Sequence, residues 1–577
     1  MIASTRAEGS FIPPPFDLPL EFAFDFHFKE NQNQPALIYP TDDGRCFRSY
    51  NYKEIVPAVH RTGQWISSAI NFQGWAGSSP PVVVIFLKTD TMTYLTAIAG
   101  LMRAGVTAFP ISPRFSSTVN ANLFKESQPA AVIINSATET LAKQALEEYA
   151  KGCEEPPLLC EFPSFSSLYP GHDMYDPLPR HVRKMEDISI ITHSSSSSSL
   201  FPKVIFWSSR AILHHGEIKG ILVLQYLDQT GLNTIPDFPV HQFAGQVLGS
   251  FGLELFHSLG MCIFFTMVRR GLVLGVMDPA EQTSILPADM NDIFRCFKLS
   301  QPDFLLTNPR AIELWAEDPK KMAVLRDSSA NIVYGGRFLS KSVGDRLVRS
   351  GVKICTTYGS TESGPITLLP HFQGEDWEYW TVYPRPDISF IPREDGLFEL
   401  VVAPTDELNY LAISNTTWKG KPAYNPGDLF VSHPIKKYTY KIFGRSSDQI
   451  MLATGETINP IEIESELSNH PLVSSVIMFG HSRFTIGIVI EQVSNLQNGQ
   501  ENNPSEKIFL DKIWPAIVEI NSKSPSYSNI SRQMIIVAHS KKPISISPKG
   551  LPRRPIVWLQ YQDEMDALYA MELKGPK

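Results

Sequence analysis

Nine consecutive residues, Thr356-Thr357-Tyr358-Gly359-Ser360-Thr361-Glu362-Ser363-Gly364, gather an aromatic ring, several hydroxyls and one carboxylate. Gly359 and Gly364 mark a loop, and the mostly apolar run from Val352 to Cys355 reads as the end of a strand feeding it. These residue types suit nucleotide chemistry. An aromatic ring can stack on a purine, hydroxyls can meet phosphate oxygens, and a carboxylate can hold Mg²⁺, a hard cation that prefers oxygen ligands. An ordinary strand-to-loop turn would look the same, so the neighbouring segments decide.

One of those segments is the serine run Ser194 to Ser199, set between the strand-like Ile188–Thr192 and Phe201-Pro202-Lys203-Val204-Ile205-Phe206. Serine runs are usually flexible linkers, but the composition does not change on either side. A hydroxyl-rich phosphate loop fits better, with backbone N–H groups and the hydroxyls of Ser195, Ser196, Ser197, Ser198 and Ser199 meeting phosphate oxygens and Lys203 adding charge. Leu255-Phe256-His257-Ser258-Leu259-Gly260 opens an apolar helix, on which a lone histidine is more often a core residue than a ligand. The run from Ile332 to Tyr334 reads as a strand ending in Gly335-Gly336, a pair that permits close backbone approach of a ligand or simply makes a turn. Tyr424-Asn425-Pro426-Gly427-Asp428-Leu429-Phe430 reads as a turn carrying one acid, and Gly444-Arg445-Ser446-Ser447-Asp448 follows a strand near Tyr440–Phe443.

The elements that must position these groups alternate. A helix over Tyr52–Ile70 precedes the continuous apolar run Val82–Leu87, as expected of a strand buried on both faces of a parallel sheet. Helices near Thr91–Ala104 and Val119–Glu126 and the strand Ala131–Ile134 continue the pattern, which is that of an α/β layer fold. Residues 1–50 read as a Phe- and Pro-rich lead-in packed along the surface, and residues 151–185 as an irregular surface excursion. A small β region around Leu397–Val402 precedes a change of character near Gly444. Beyond it the helices near Ile461–Leu467 and Ile508–Ile520, with two strands, form a small α+β unit ending in a helix over Gln560–Tyr569.

At 577 residues, 43% apolar and 19% charged, the chain is a folded protein of several subdomains. A net charge of −8 and the lack of an arginine-rich tract argue against nucleic-acid binding. Six scattered cysteines without a C-x-x-C pair argue against a disulfide framework or zinc site and suit a reducing, cytoplasmic setting. The apolar window Leu255–Val268 is shorter than the ~20 residues that span a bilayer, and the polar start with Pro13-Pro14-Pro15 shows no signal peptide.

Taken in order, these motifs resemble the adenylate-forming superfamily of acyl-CoA synthetases, firefly luciferase and the adenylation domains of non-ribosomal peptide synthetases. The serine run through Lys203 resembles the phosphate loop, Leu255–Gly260 the acid-pocket helix, and Tyr334-Gly335-Gly336 the adenine-side strand. Tyr358–Gly364 resembles the aromatic-Gly-x-Thr-Glu core, Tyr424–Leu429 the ribose-binding Tyr-x-x-Gly-Asp-Leu, and Gly444–Asp448 the hinge. Thr454-Gly455-Glu456 with Asn459-Pro460, and Pro548-Lys549-Gly550 with Arg553-Arg554, look like fungal carboxylate-reductase and aminoadipate-reductase-like adenylation domains.

The resemblance implies an α/β fold with a large N-terminal AMP-binding domain over 1–443 and a smaller, mobile α+β cap over 444–577. It implies ATP-dependent conversion of a carboxylic acid to an acyl-AMP, then transfer to CoA or a carrier-protein phosphopantetheine thiol. Tyr358 would stack on adenine beside Gly359 and Ser360, Asp428 would accept the ribose hydroxyls, and Arg445 would assist there and mark the pivot. Thr361 would contact phosphate, Glu362 would hold Mg²⁺, and Lys549 would bridge substrate and phosphate oxygens when the cap closes. His257, with the backbone around Gly335 and Ser360, would line the acid pocket. A histidine where peptide synthetases carry an acid leans toward aryl or fatty acids.

The chain departs from the pattern in three places. The phosphate loop has serine at every candidate glycine position, the catalytic lysine precedes Gly550 instead of following it, and Ser447 stands where the hinge commonly has Asp. Fewer than thirty residues follow Lys549, and no dinucleotide fingerprint appears. The expectation is therefore a free-standing adenylation unit, a shortened relative or a fragment of a reductase. A fold-retaining relative that binds nucleotide or acid without turnover, or one with a purely structural role, remains open.

Overall fold

The computed structural model describes residues 11–572 apart from 42–46, 73–78, 153–154, 172–173, 195–200, 217–242, 283–288, 337, 368–371, 383–385, 406–409, 455, 494–495, 498–499, 502–504 and 548–549. Two large sheets organise the first part of the chain. One has six strands in the order Leu158–Glu161, Ala131–Ile134, Val82–Phe86, Thr107–Pro110, Ile188–His193 and Val204–Ser208, parallel except for the last. The other has seven: Ile354–Thr357, Asn331–Gly335, Phe304–Thr307, Val247–Gly249, Val273–Gly275, Pro35–Pro40 and Phe47–Asn51.

Between the sheets lie helices that expose almost nothing. Every residue of Thr91–Arg103 is buried, which accounts for the all-round apolar character of that segment. Some of its polar groups are satisfied locally: the Asp90 carboxylate caps the helix by accepting from the Thr93 N–H at 2.8 Å, and the Thr96 hydroxyl donates to the Met92 carbonyl at 2.8 Å. The neighbouring helix Tyr52–Ala69 opens with a reciprocal capping box between Asn51 and Glu54. Pro57 is accommodated inside that helix rather than at its start. The two helices meet backbone to backbone, so a Cβ on Gly100 would stand 2.4 Å from Thr62.

The N-terminal segment is not a surface lead-in. Leu20–Glu30 is a helix with Leu20, Phe22, Ala23 and Phe24 buried, and Pro35–Pro40 is an inner strand pairing with Val273–Gly275 on one side and Phe47–Asn51 on the other. Phe22 and Phe24 lie in the interior, whereas Phe16 stays exposed. The excursion over 151–185 likewise contributes an edge strand, Leu158–Glu161, and the core side chains Phe162 and Leu168. It also supplies Arg183, whose Nε lies 2.7 Å from Glu21 with both side chains 1% exposed.

A five-stranded antiparallel sheet follows: Trp380–Thr381, Thr439–Arg445, Asp428–Ser432, Phe398–Val402 and Ile388–Pro392. The last unit is built on three strands, Val473–Phe479, Gly487–Gln492 and Ile535–Val537. Alternation along Val473–Phe479 splits its two cores. Val476 and Met478 face the helices Pro460–Ser468 and Glu506–Lys523, whereas Ile477 and Phe479 face Arg554–Gln560 and Gln562–Glu572. No described helix is long and apolar enough to cross a membrane.

Overfilling the helix–helix contact tests this packing. Gly100→Val is expected to cost about 1–3 kcal/mol of stability, read as a lower denaturation midpoint, because Thr62 and the backbone opposite cannot withdraw.

Candidate functional site

Parallel sheets bind ligands beyond the carboxyl ends of their strands. Asn331–Gly335 and Ile354–Thr357 are parallel neighbours with Gly335 opposite Thr357, so the glycine pair and the loop beginning at Tyr358 emerge at one edge. The two glycines have different tasks. Gly335 is packed under the loop, where a Cβ would meet Thr357 at 2.6 Å, whereas Gly336 adopts φ +75° with open space before it. Of the pair expected to let a ligand approach, only Gly336 lines the cleft.

The loop folds back as a two-residue ladder, Gly359 and Ser360 against Pro365 and Gly364. Ser360 Oγ accepts from the Ser363 N–H at 3.2 Å, and Gly364 takes φ +70° against His215, whose Nδ1 would lie 2.0 Å from any Cβ there. Tyr358 is held by a bond from its own N–H to the Thr367 hydroxyl at 2.9 Å and by its ring lying parallel to Trp380, centroids 5.4 Å apart.

Asp428 and Arg445 are directly opposed across the antiparallel pair Asp428–Ser432 and Thr439–Arg445. Arg445 Nε lies 3.3 Å from Asp428 Oδ1, and the Tyr358 hydroxyl donates to Oδ2 at 2.7 Å. Burial raises the Asp428 carboxyl, opposed by Arg445 and the tyrosine bond. Burial, then Asp428, holds the Tyr358 phenol far above its ordinary range. Burial works against the charge on Arg445, but Asp428 and Asp448 outweigh it and raise its pKa. The tyrosine therefore stays a donor and the guanidinium stays charged.

Tyr358, Gly359, Gly336, Asp428 and Arg445 line one cleft of about 480 Å³. Its opposite wall comes from the last unit of the chain, through Glu464, Ser465, Leu551, Arg554 and Trp558. Arg554 is anchored there by a bidentate pair with Glu464, both contacts 2.7 Å, and its Nε reaches Asp448 at 3.8 Å.

The remaining candidates sit further along the loop. Thr361 is buried, its hydroxyl 3.1 Å from that of Ser258 at the start of the helix Ser258–Arg270, while its carbonyl accepts from Trp207 Nε1 at 3.0 Å. Glu362 is half-buried beside the Tyr424 hydroxyl, which burial and then this carboxylate keep protonated. His257 precedes that same helix, its Nε2 3.3 Å from Glu254, and Glu254 also receives Arg114 at 2.5 Å. Burial would raise the Glu254 carboxyl, but His257 and Arg114 overcome it and lower its pKa. Lys203 is exposed at the base of a hairpin, where its N–H donates to Ser194 Oγ at 2.8 Å and its carbonyl accepts from the Ser194 N–H at 2.9 Å. Those two hydrogen bonds join Ser194 to Lys203 at the neck of the hairpin. Ser195, Ser196, Ser197, Ser198, Ser199 and Lys549 lie outside the described residues.

Sequence reasoning passed over Tyr424 as a neighbour of Glu362, Glu254 and Arg114 behind His257, and the Arg554–Glu464 pair. Glu254 stands three residues before His257 and was open to notice; Arg114 is 140 residues away from Glu254 and carried no signal.

Comparison with known proteins fits this geometry. Residues 24–387 match the AMP-binding enzyme family model, and residues 447–573 match the AMP-binding enzyme C-terminal domain. The chain belongs to the AMP-binding enzyme family. It is 30% identical to the adenylate-forming reductase Nps10 of Heterobasidion annosum over 98% of this chain and 51% of that protein. It is 24% identical to the carboxylic acid reductase of Neurospora crassa over 86% of this chain and 45% of that one. The chain thus spans about half the length of the curated relatives it matches. Its mixed α/β fold is that of the A domain of Segniliparus rugosus carboxylic acid reductase in complex with AMP and a co-purified carboxylic acid, with a TM-score of 0.65 at 15% identity, covering 99% of this chain and 96% of that one. Bacillus subtilis o-succinylbenzoate CoA synthetase in complex with ATP and magnesium ion gives 0.64 at 16% identity, over 93% and 98%.

The Glu254 cluster carries a pH prediction. Its folded pKa is lowered, so its stabilisation is complete above the ordinary carboxylate value and is lost as pH falls through the folded one. Glu254→Gln should cost about 1–2 kcal/mol near pH 7, and the gap from wild type in thermal melts should close as the pH is taken below 4.5.

Proposed function

We propose that the chain activates a carboxylic acid with ATP, forming an acyl-adenylate and pyrophosphate, and then passes the acyl group to a thiol of CoA or of a carrier protein. The observation that carries this reading is the convergence of Tyr358, Asp428 and Arg445 on one cleft whose far wall belongs to the C-terminal unit. A carboxyl group with two oxygens suits a pair of ribose hydroxyls, and the ring of Tyr358 offers a flat apolar surface to a base.

Joining a carboxylate to the α-phosphate brings two anions together, so the site must supply donors and positive charge. Thr361 at the start of the helix Ser258–Arg270, the hairpin neck at Ser194 and Lys203, and Lys549 are the groups we assign to that task, with His257 at the acid. Among the described residues there is no group of three or more His, Cys, Asp or Glu side chains that could hold a metal. Glu362 would hold Mg²⁺ through its carboxylate, and the ion would neutralise phosphate charge.

The curated relatives named as adenylate-forming and carboxylic acid reductases support acid activation. The test is acid-dependent exchange of labelled pyrophosphate into ATP across aryl, fatty and amino acids. Exchange with at least one acid is expected, and its absence across the panel refutes the proposal. Asp428→Ala should weaken AMP binding by tenfold or more, read by calorimetry. Lys549→Ala should slow adenylation far more than thioester formation, since the cap carries Lys549 away in the second step; equal losses would refute that role.

A further inference from the structure

Two charged side chains on the cleft wall have no part in the reading above. Glu378 and Lys441 line the cleft together with Tyr334, Thr356 and Tyr358. Both are placed by rigid neighbours. Trp377, just before Glu378, is 1% exposed and donates Nε1 to Asp345 at 3.1 Å, and Trp380, two residues on, is fully buried at the start of the strand paired with Thr439–Arg445. Lys441 comes from that same strand, four residues before Arg445, or about 13 Å along it.

The Lys441 Nζ lies 3.5 Å and the Lys341 Nζ 3.6 Å from Glu378 Oε2. These contacts leave acceptor capacity free, because one oxygen carries both and a carboxylate offers about four acceptor directions. The pair therefore shows an acceptor and a donor side by side to the cleft, at 29% and 25% exposure. Its field reaches Tyr334, whose phenol is raised by burial first and by Glu378 among the charges.

A nucleoside with its ribose at Asp428 and its base against Tyr358 directs the edge of the base away from the sugar, toward this wall. We propose that Glu378 accepts a hydrogen bond from the 6-amino group of adenine while Lys441 donates to an adjacent ring nitrogen, making the pair the base-selecting element of the site. A 6-oxo purine would place an acceptor against the carboxylate, and burying two acceptors face to face is costly. The assignment rests on the nucleotide reading of the cleft.

Calorimetry on the full chain with AMP, inosine monophosphate and purine riboside monophosphate, which lacks the 6-amino group, tests it without need of turnover. Wild type should bind AMP roughly ten- to a hundredfold more tightly than either analogue, the range for a hydrogen bond to a charged group. Glu378→Ala should abolish most of that preference by weakening AMP and leaving purine riboside monophosphate almost unchanged. Glu378→Gln, which preserves side-chain size and offers an amide donor to a 6-oxo group, should shift the preference toward inosine monophosphate. An unchanged AMP-to-analogue ratio in both variants overturns the assignment while leaving the nucleotide site intact. Failure of wild type to bind AMP at all overturns the nucleotide reading, and the assignment with it.

Discussion

The site depends on one ion pair with a third partner. Asp428 and Arg445 face each other across adjacent antiparallel strands, and the Tyr358 hydroxyl closes on the same carboxylate from a different sheet. A buried carboxylate alone would resist ionisation, and a buried guanidinium alone would be costly to leave unpaired. Together they hold each other in fixed positions, and the tyrosine bond ties the five-stranded sheet to the edge of the seven-stranded one. The near wall of the cleft is built where the two sheets share this junction.

The rest of the large fold serves that junction. The fully buried helix Thr91–Arg103 lies between the six- and seven-stranded sheets, and its close crossing with Tyr52–Ala69 leaves little freedom for either sheet to slide. The strand Ile354–Thr357 and its parallel neighbour can then deliver Gly336 and Tyr358 to a defined edge. The loop beyond them needs no strand of its own to be rigid. A two-residue ladder, a serine side chain bonded to backbone and a glycine pressed on His215 suffice.

Much of this was legible in the amino-acid order, and what was not has physical causes. Apolar runs such as Val82–Phe86 and Ala131–Ile134 announced buried parallel strands because both faces of such strands are covered. The loop at Tyr358 and the motif at Asp428 stood out by residue type. Their proximity did not, since it depends on a cross-strand register with a bulge between Leu429 and Phe430 that no local pattern specifies. Asp428 itself was read as part of a turn, yet it begins a strand. The N-terminal segment, rich in Phe and Pro, read as a surface lead-in, but its helix Leu20–Glu30 buries Leu20, Phe22, Ala23 and Phe24. Pairs joined over long separations, such as Glu254 with Arg114 or Glu21 with Arg183, leave no trace in local spacing.

Glu466 shows how the two parts of the chain share a free-energy account. It belongs to the helix Pro460–Ser468 in the C-terminal unit, yet its carboxylate accepts from the Ser342 N–H at 3.4 Å and from the Ser340 and Ser342 hydroxyls. Those groups open the helix Lys341–Arg349, whose own Ser340 provides no side-chain cap. A negative charge at a helix start is worth about 0.3–1 kcal/mol, so withdrawal of the C-terminal unit would fray a helix whose Ser342 lies 124 residues upstream in sequence. Such a withdrawal would loosen the wall behind Trp377, which packs against Gly344 of that helix.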